Sequence, residues 1–147
     1  MKKQNDISAP VYSALTIHIA APPEKVWSVL TSLAQWPAWN PRILFARLLG
    51  SAVEPGAEFT WKVNGVRIRS EFLIVDRQHR LSWKGKTFGA TAEHSWSFES
   101  VNGETRLTVQ ESMDGWLVRL FKGKMNRDLK ADMQFWTEAL KHQCESR

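Results

Sequence analysis

The chain has 147 residues, close to the roughly 150 of one typical domain, so we expect a single domain without a separate catalytic module. Its hydrophobic content of 43% is enough to form a core, and its one cysteine, Cys144, excludes an intrachain disulfide and predicts a reducing, cytoplasmic setting. The net charge of +5 is scattered along the chain, and no stretch reaches the ~20 apolar residues of a membrane-spanning helix.

The first predicted elements follow a short tail at residues 1–10, and residues 11–147 form the predicted domain. Apolar and polar residues alternate over Val11–Ile19, which predicts a half-buried strand. Two prolines end this strand, and apolar residues then recur at helical spacing as far as Leu33, which predicts a helix of about three turns. The segment Trp36–Pro41 reads W-P-A-W-N-P, and its prolines predict a rigid turn.

The middle of the chain has the pattern of an antiparallel meander. Short alternating runs are separated by Gly, Asn and Pro residues, and no long helical period interrupts them. Two Asn-Gly pairs each predict a tight type I′ hairpin turn, which determines the register of the flanking strands. Six strands are predicted here, at residues 43–49, 58–63, 66–76, 80–85, 91–100 and 105–113.

The two Asn-Gly turns place most of the apolar strand residues on one face. The turn at positions 64 and 65 pairs Val63 with Val66. Strand alternation then puts further large residues on the same face: Phe59, Trp61, Ile68, Phe72 and Ile74. The turn at positions 102 and 103 places His94 directly opposite Glu111, on the apolar side of the sheet.

The last third of the chain predicts one long amphipathic helix, of more than about twenty residues, after Asp114 and Gly115. Charged residues lie off its apolar stripe. They form a basic edge in which acidic residues are interleaved, and we interpret this edge as a solvated face, with an acidic membrane or nucleic acid as the alternative partner. The edge consists of Lys122, Lys124, Arg127 and Lys130, with Asp128 and Asp132 between them. Such a helix buries its stripe on the adjoining sheet, so the predicted class is α+β. The stripe consists of Leu117, Phe121, Met125, Leu129, Met133, Trp136 and Leu140.

Several of these segments resemble one known superfamily. Residues 21–31, A-P-P-E-K-V-W-S-V-L-T, lead into W-P-A-W-N-P at residues 36–41, which is the most specific part. Over about residues 11 to 142 the chain resembles the SRPBCC superfamily (START-like, Bet v 1-like), in its polyketide cyclase/dehydrase branch. The other similar segments are residues 56–59, residues 80–85, Glu93-His94 before Trp96, and residues 103–106 before Glu111.

This resemblance implies a helix-grip fold. In that fold a seven-stranded antiparallel sheet wraps around a long C-terminal helix, with a hydrophobic cavity between them. The superfamily includes lipid carriers, hormone receptors, cyclases, quinone-binding factors and chaperone activators, so the fold implies no single activity. The implied partner is a small hydrophobic ligand such as a lipid, a polyketide or another aromatic metabolite.

His94 and Glu111 are the sharpest pair of site candidates. Residues directly opposite in a sheet have Cβ atoms about 4.5–5.5 Å apart, so imidazole and carboxylate can interact in apolar surroundings. The pair has three interpretations: a self-satisfied structural contact, a polar anchor for a ligand, or a catalytic base (His94) oriented by a carboxylate (Glu111). Burial and a neighbouring charge shift the histidine pKa in opposite directions, and the sequence alone does not decide which prevails.

Large apolar residues on the inward faces are the candidates for ligand contact. The rings could form an aromatic wall, and the methionines an adaptable lining, although a solid core is the alternative interpretation. Trp39, beside the prolines, is expected near the cavity mouth, where it would either gate entry or clamp the first helix. The predicted ligand-contact residues are Trp39, Phe59, Trp61, Trp83, Trp96, Met113, Met125, Leu129, Met133 and Trp136.

Three functions follow as hypotheses. The first is binding of a small hydrophobic ligand, and the second is a cyclase or dehydratase reaction in which His94 removes a proton beside a carbonyl. The third is a protein-interaction module with an incidental cavity, which would need an exposed apolar patch around Trp39 and Trp116. No metal-ligand, nucleotide-binding or nucleic-acid motif occurs, so neither a metal, a cofactor nor a nucleic-acid partner is expected, and the oligomeric state is left open.

Overall fold

The computed structural model describes residues 8–146, so the predicted tail at residues 1–10 lies largely outside the described residues. Within them, seven strands form one antiparallel sheet: β1 (Val11–Ile19), β2 (Ile43–Leu48), β3 (Glu58–Val63), β4 (Val66–Asp76), β5 (Arg80–Thr87), β6 (Ala90–Val101) and β7 (Glu104–Asp114). The order across the sheet is β1-β7-β6-β5-β4-β3-β2. Every strand predicted from the sequence is present, within two residues of its expected bounds.

The helices precede and follow the meander. Four α-helices are present in the described residues: α1 (Pro23–Thr31), α2 (Trp36–Trp39), α3 (Trp116–Leu120) and α4 (Lys122–Glu145). The 24-residue α4 packs against the apolar face of the sheet, which confirms the α+β helix-grip fold. No helix among residues 8–146 has the length and apolar character that crossing a membrane would require.

The structure corrects two predictions about the helices. The segment expected to be a rigid turn contains α2, because Pro37 lies in the first turn of that helix, where its missing N–H is not needed. The long C-terminal helix is divided, since Phe121 leaves the helical conformation with φ −114° and ψ 32°. The buried side of α4 therefore begins only at Leu129, and Phe121, which was expected in the stripe, is exposed.

Both Asn-Gly turns adopt the predicted conformation. Asn64 and Gly65 have φ values of 51° and 81°, and the second turn has values of 53° and 81°. The register across the second turn pairs His94 with Glu111, as predicted. The local turn chemistry is therefore enough to align the strands that carry the candidate site.

One predicted alignment fails at a β-bulge. The register between β4 and β5 shifts between Phe72 and Ile74, so Phe72 pairs with Trp83 and Ile74 pairs with Ser82. Because neighbouring residues of β5 point to opposite faces, Ile74 lies on the face away from Phe72. The expectation that both residues share the inner face is therefore wrong, since a bulge inserts one extra residue and reverses the alternation.

Polar contacts fasten α4 to the sheet at both ends. Near its beginning, the side chain of Asn126 donates to the carbonyl of Pro10 at 3.0 Å and accepts from the amide of Tyr12 at 3.2 Å. Near its end, the amide of Ala20 donates to the Glu145 carboxylate at 2.7 Å. The helix thus spans the sheet from one end to the other, and its middle lies over the inner face.

The position of α3 depends on a close approach between two glycines. Gly115 has φ 133° and ψ 164°, which L side chains rarely adopt. A Cβ on Gly115 would overlap the carbonyl oxygen of Gly89, in the turn between β5 and β6. The amide of Leu117 donates to that same oxygen at 3.1 Å. The β5–β6 turn therefore holds α3 against the sheet.

Gly115→Ala is expected to lower the free energy of unfolding by roughly 3 kcal/mol or more, because it combines backbone strain with a clash against backbone atoms. Urea denaturation followed by circular dichroism measures the loss. Gly103→Ala is the matched control, since Gly103 also has a positive φ but open space around it, and it should lose only about 1–2 kcal/mol. Equal losses in the two variants would show that the close approach contributes nothing.

Candidate ligand cavity

The candidate site is a cavity of about 960 Å³ between the inner face of the sheet and α4. Its lining includes Asn64 and Thr87, so it lies at the end of the sheet that carries the β3–β4 and β5–β6 turns. The first two thirds of α4, from Lys124 to Thr137, supply the opposite wall. Phe88 also lines the cavity and is 78% exposed, so the cavity reaches solvent at this end.

Most of the predicted ligand-contact residues do line this cavity: Trp61, Trp96, Met113, Met125, Leu129, Met133 and Trp136. The other three, Trp39, Phe59 and Trp83, are buried and are not among the lining residues. These three residues therefore belong to the packed core behind the cavity wall and not, as predicted, to the wall itself. Trp39 is buried and does not border the cavity, which favours the clamp on the first helix over the gate.

Trp36 explains why Phe59 and Trp83 do not reach the cavity. Its ring is fully buried and lies 5.9 Å from the ring of Phe59 and 5.7 Å from that of Trp83. It also contacts the cavity-lining rings of Trp61 and Trp136, at 5.6 and 5.5 Å. Trp36 thus fills the space between the sheet and α4 beside the cavity, and its indole N–H donates to the carbonyl of Leu30 at 3.0 Å.

His94 and Glu111 meet in the cavity wall. The Nδ1 atom of His94 lies 3.2 Å from Oε1 of Glu111, and the two side chains keep only 9% and 14% of their surface exposed. Both residues line the cavity, so this remaining surface faces it. The imidazole stacks on the ring of Trp83 with centroids 5.1 Å apart. The two polar groups are therefore held in fixed orientation within aromatic surroundings.

Burial sets the protonation of both groups. It lowers the pKa of His94 to about 3, and it raises the pKa of Glu111 to about 8, with a further contribution from the negative charge of Asp132. Each charged form is disfavoured because little water is left to solvate it. Both shifts favour a neutral imidazole and a protonated carboxyl group near pH 7.

A neutral pair offers the cavity one donor and one acceptor. If the Glu111 O–H points to Nδ1, the histidine keeps its Nε2–H and the carboxyl group keeps a carbonyl oxygen. If instead Nδ1–H points to Oε1, the Nε2 lone pair and the other O–H remain. A ligand hydroxyl or carbonyl is the kind of group that such a pair can bind.

Charged residues surround the open end of the cavity. Arg42 pairs with Asp132 at 2.6 Å and covers the ring of Phe135 at 3.8 Å from its centroid, while Lys124 pairs with Asp128 at 2.6 Å. All five residues line the cavity. Lys124 and Asp128 are exposed, as predicted for a solvated helix face, and together with the half-buried Asp132 they also border the cavity, which was not predicted.

Sequence reasoning missed this charged border because acidic and basic residues at helical spacing usually face water. The position of Arg42, immediately after the W-P-A-W-N-P segment, is the one local signal that could have indicated it. Burial also raises the pKa of Asp132, against the opposing effect of the Arg42 charge. Among the described residues, no three His, Cys, Asp or Glu side chains converge in a way that could hold a metal ion.

Solved structures with the same architecture cover nearly the whole chain. A protein of Helicobacter pylori described as hypothetical has a TM-score of 0.85 at 15% identity, with 99% of each chain covered. A START superfamily protein from Mycobacterium smegmatis has a TM-score of 0.72 at 17% identity, covering 91% of this chain and 97% of its own. At these identities the similarity establishes the fold alone.

An aromatase/cyclase from Streptomyces sp. R1128 is similar as well, with a TM-score of 0.76 at 14% identity and coverage of 91% and 93% of the two chains. No curated protein matches the sequence at a significant level. The family model for polyketide cyclase / dehydrase and lipid transport proteins matches residues 12–145, which is almost the whole described chain. The chain therefore belongs to the polyketide cyclase/dehydrase and lipid transport family.

Proposed function

We propose that this protein binds a small apolar molecule with a planar ring and one hydroxyl or carbonyl group. The observation that carries the proposal is a cavity of about 960 Å³ in whose largely aromatic and aliphatic wall His94 and Glu111 form one buried polar pair. Sites for small molecules typically have about 300–1,000 Å³, with mostly apolar walls and a few placed polar groups. The cavity has the size and the chemistry of such a site.

The aromatic walls favour a flat ligand over a flexible chain. Trp61 and Trp96 each have their ring centroid 5.5 Å from that of Trp136, so three indoles from the sheet and α4 meet at one place. Rings of this kind stack against planar molecules in offset or edge-to-face arrangements. The indole N–H groups of Trp96 and Trp136 are buried without an acceptor among the described residues.

The protonation of the pair favours binding over catalysis. A general base works best when its pKa lies near the working pH, and a His94 pKa of about 3 makes the imidazole a weak base. A protonated Glu111, in contrast, is a good hydrogen-bond donor at pH 7. A cyclase or dehydratase activity is the second candidate, supported by the same pair in a water-poor cavity and by similarity to a protein named an aromatase/cyclase.

A co-purifying ligand is the first expected observation. Mass spectrometry under native conditions should find the protein with a bound species of low mass, and the denatured extract should contain a molecule with a planar ring and an oxygen substituent. The reason is that an open apolar cavity of this size is favourably filled. A protein that carries nothing and binds none of a panel of aromatic polyketides, quinones and fatty acids would refute the proposal.

The polar anchor can be tested with two molecules of nearly equal shape, 2-naphthol and naphthalene. We expect the wild type to bind 2-naphthol roughly tenfold more tightly, because only the naphthol hydroxyl satisfies the buried pair. Substitutions Glu111→Leu and His94→Leu should each remove most of this preference while they retain naphthalene binding. Calorimetric titration measures both dissociation constants.

His18→Ala is the matched control for this test. His18 also pairs with a carboxylate, that of Glu104, at 2.6 Å, but on the exposed side of the protein. The preference for 2-naphthol should be unchanged in this variant. If the preference persists in Glu111→Leu, or if His18→Ala removes it, the anchor does not lie at the His94–Glu111 pair.

The pH dependence of stability tests the protonation of Glu111. Its pKa is higher in the folded state, at about 8, than the ordinary value of 4.5, so between these values the folded state binds more protons than the unfolded state. The contribution of Glu111 to the free energy of unfolding is therefore largest below pH 4.5, and it declines as the pH rises toward 8. From pH 6.5 to 8 the free energy of unfolding of the wild type should fall by about 1–2 kcal/mol relative to that of Glu111→Gln. Urea denaturation at each pH measures both values. Parallel profiles for the two proteins would mean that Glu111 is ionised throughout.

A further inference from the structure

A group of exposed apolar side chains lies at the open end of the cavity. Four large residues from the β5–β6 turn, from α3 and from the break after α3 are each between 48% and 78% exposed. We call them the mouth patch: Phe88, Trp116, Leu120 and Phe121. The rings of Phe88 and Trp116 touch edge to face, with centroids 5.3 Å apart. Exposed apolar residues that cluster in this way mark an interaction surface.

The mouth patch is continuous with the cavity. Phe88 belongs to both, and Leu117, between the patch residues of α3, also lines the cavity. The same segment holds α3 against the sheet, because the Leu117 amide donates a hydrogen bond to the carbonyl of Gly89 in the β5–β6 turn. A surface that covers the patch would therefore lie directly over the opening.

Positive charge accompanies the mouth patch. Residues 116–130 contain five Lys or Arg residues and one acidic residue. Lys122 directly follows the patch, and the Arg127 side chain extends back toward Gly123, 3.9 Å from where a Cβ there would lie. Neither Lys122 nor Arg127 forms an ion pair with an acidic side chain among the described residues, whereas Lys124 pairs with Asp128. Two cations next to the patch therefore remain free to bind an anionic partner.

We propose that the mouth patch docks on an anionic lipid membrane, so that an apolar ligand passes between the bilayer and the cavity without crossing water. Phe and Trp side chains insert at the interface of a bilayer, and flanking Lys and Arg side chains bind anionic headgroups. A second copy of this chain fits less well, because two equally basic surfaces would repel each other. The passage of a ligand rests on the proposed function, whereas docking on the membrane can succeed or fail independently of ligand binding.

Flotation with lipid vesicles tests the proposal. We expect the wild type to bind vesicles of phosphatidylcholine mixed with phosphatidylglycerol, to bind phosphatidylcholine vesicles weakly, and to dissociate at high salt. The double variant Phe88→Ser/Trp116→Ser should bind the mixed vesicles about tenfold more weakly. Lys122→Glu should weaken binding roughly fivefold or more, since each cation near an anionic surface contributes about that factor.

Two control variants lie at the opposite end of the sheet. Leu49→Ser removes an apolar side chain whose exposure, 49%, is close to that of Phe121. Arg77→Glu reverses an exposed charge in the turn between β4 and β5. Both variants should bind vesicles like the wild type. Circular dichroism and thermal melting check that every variant is folded, and 2-naphthol titration without vesicles separates a loss of docking from a loss of ligand binding.

The proposal is overturned if the wild type does not float with the mixed vesicles, or if the control variants lose binding as much as the patch variants do. It is also overturned if light scattering finds a dimer that depends on Phe88 and Trp116 and that leaves vesicles unbound. In that case the mouth patch would be an interface between two copies of the chain.

Discussion

One helix cannot cover the inner face of a seven-stranded sheet, and the rest of the structure depends on this mismatch. Neighbouring strands lie about 4.8 Å apart, so the outer strands are separated by roughly 29 Å across the sheet, while a helix with its side chains is only about 10–12 Å wide. The remaining face must be covered by other elements or stay open. Here α1, α2 and the buried Trp36 cover one part, and the cavity is the part left open.

The covering of the inner face by α4 and the tryptophans also determines the chemistry of the polar pair. His94 and Glu111 lie on neighbouring strands, so the sheet brings them together whatever covers them. Because α4 and the tryptophans remove most water from this place, both groups become neutral and present a donor and an acceptor instead of two charges. An open sheet would have made the same two residues an ordinary ion pair. The function proposed for the pair thus results from burial rather than from residue type.

The opening of the cavity combines three features that lie far apart in the sequence. The β5–β6 turn and α3 expose apolar side chains, the first turns of α4 add positive charge, and Arg42 from the segment before β2 pairs with Asp132. The break at Phe121 is central, because an unbroken helix would have turned this residue toward the sheet with the rest of the stripe. The break that divides the C-terminal helix therefore leaves the residues of the mouth patch exposed at the cavity opening.

The sequence by itself determined the fold and the site's central pair. Two Asn-Gly turns and the alternation of strand residues were enough to place His94 opposite Glu111, because turn geometry and the period of two act over neighbouring residues. Only the tertiary structure decided which rings line the cavity, that Ile74 turns outward, that Asp132 belongs to the cavity border, and that the pKa of Glu111 is raised. These properties depend on burial, and burial is set by residues distant in sequence, such as Trp36 in front of Trp83.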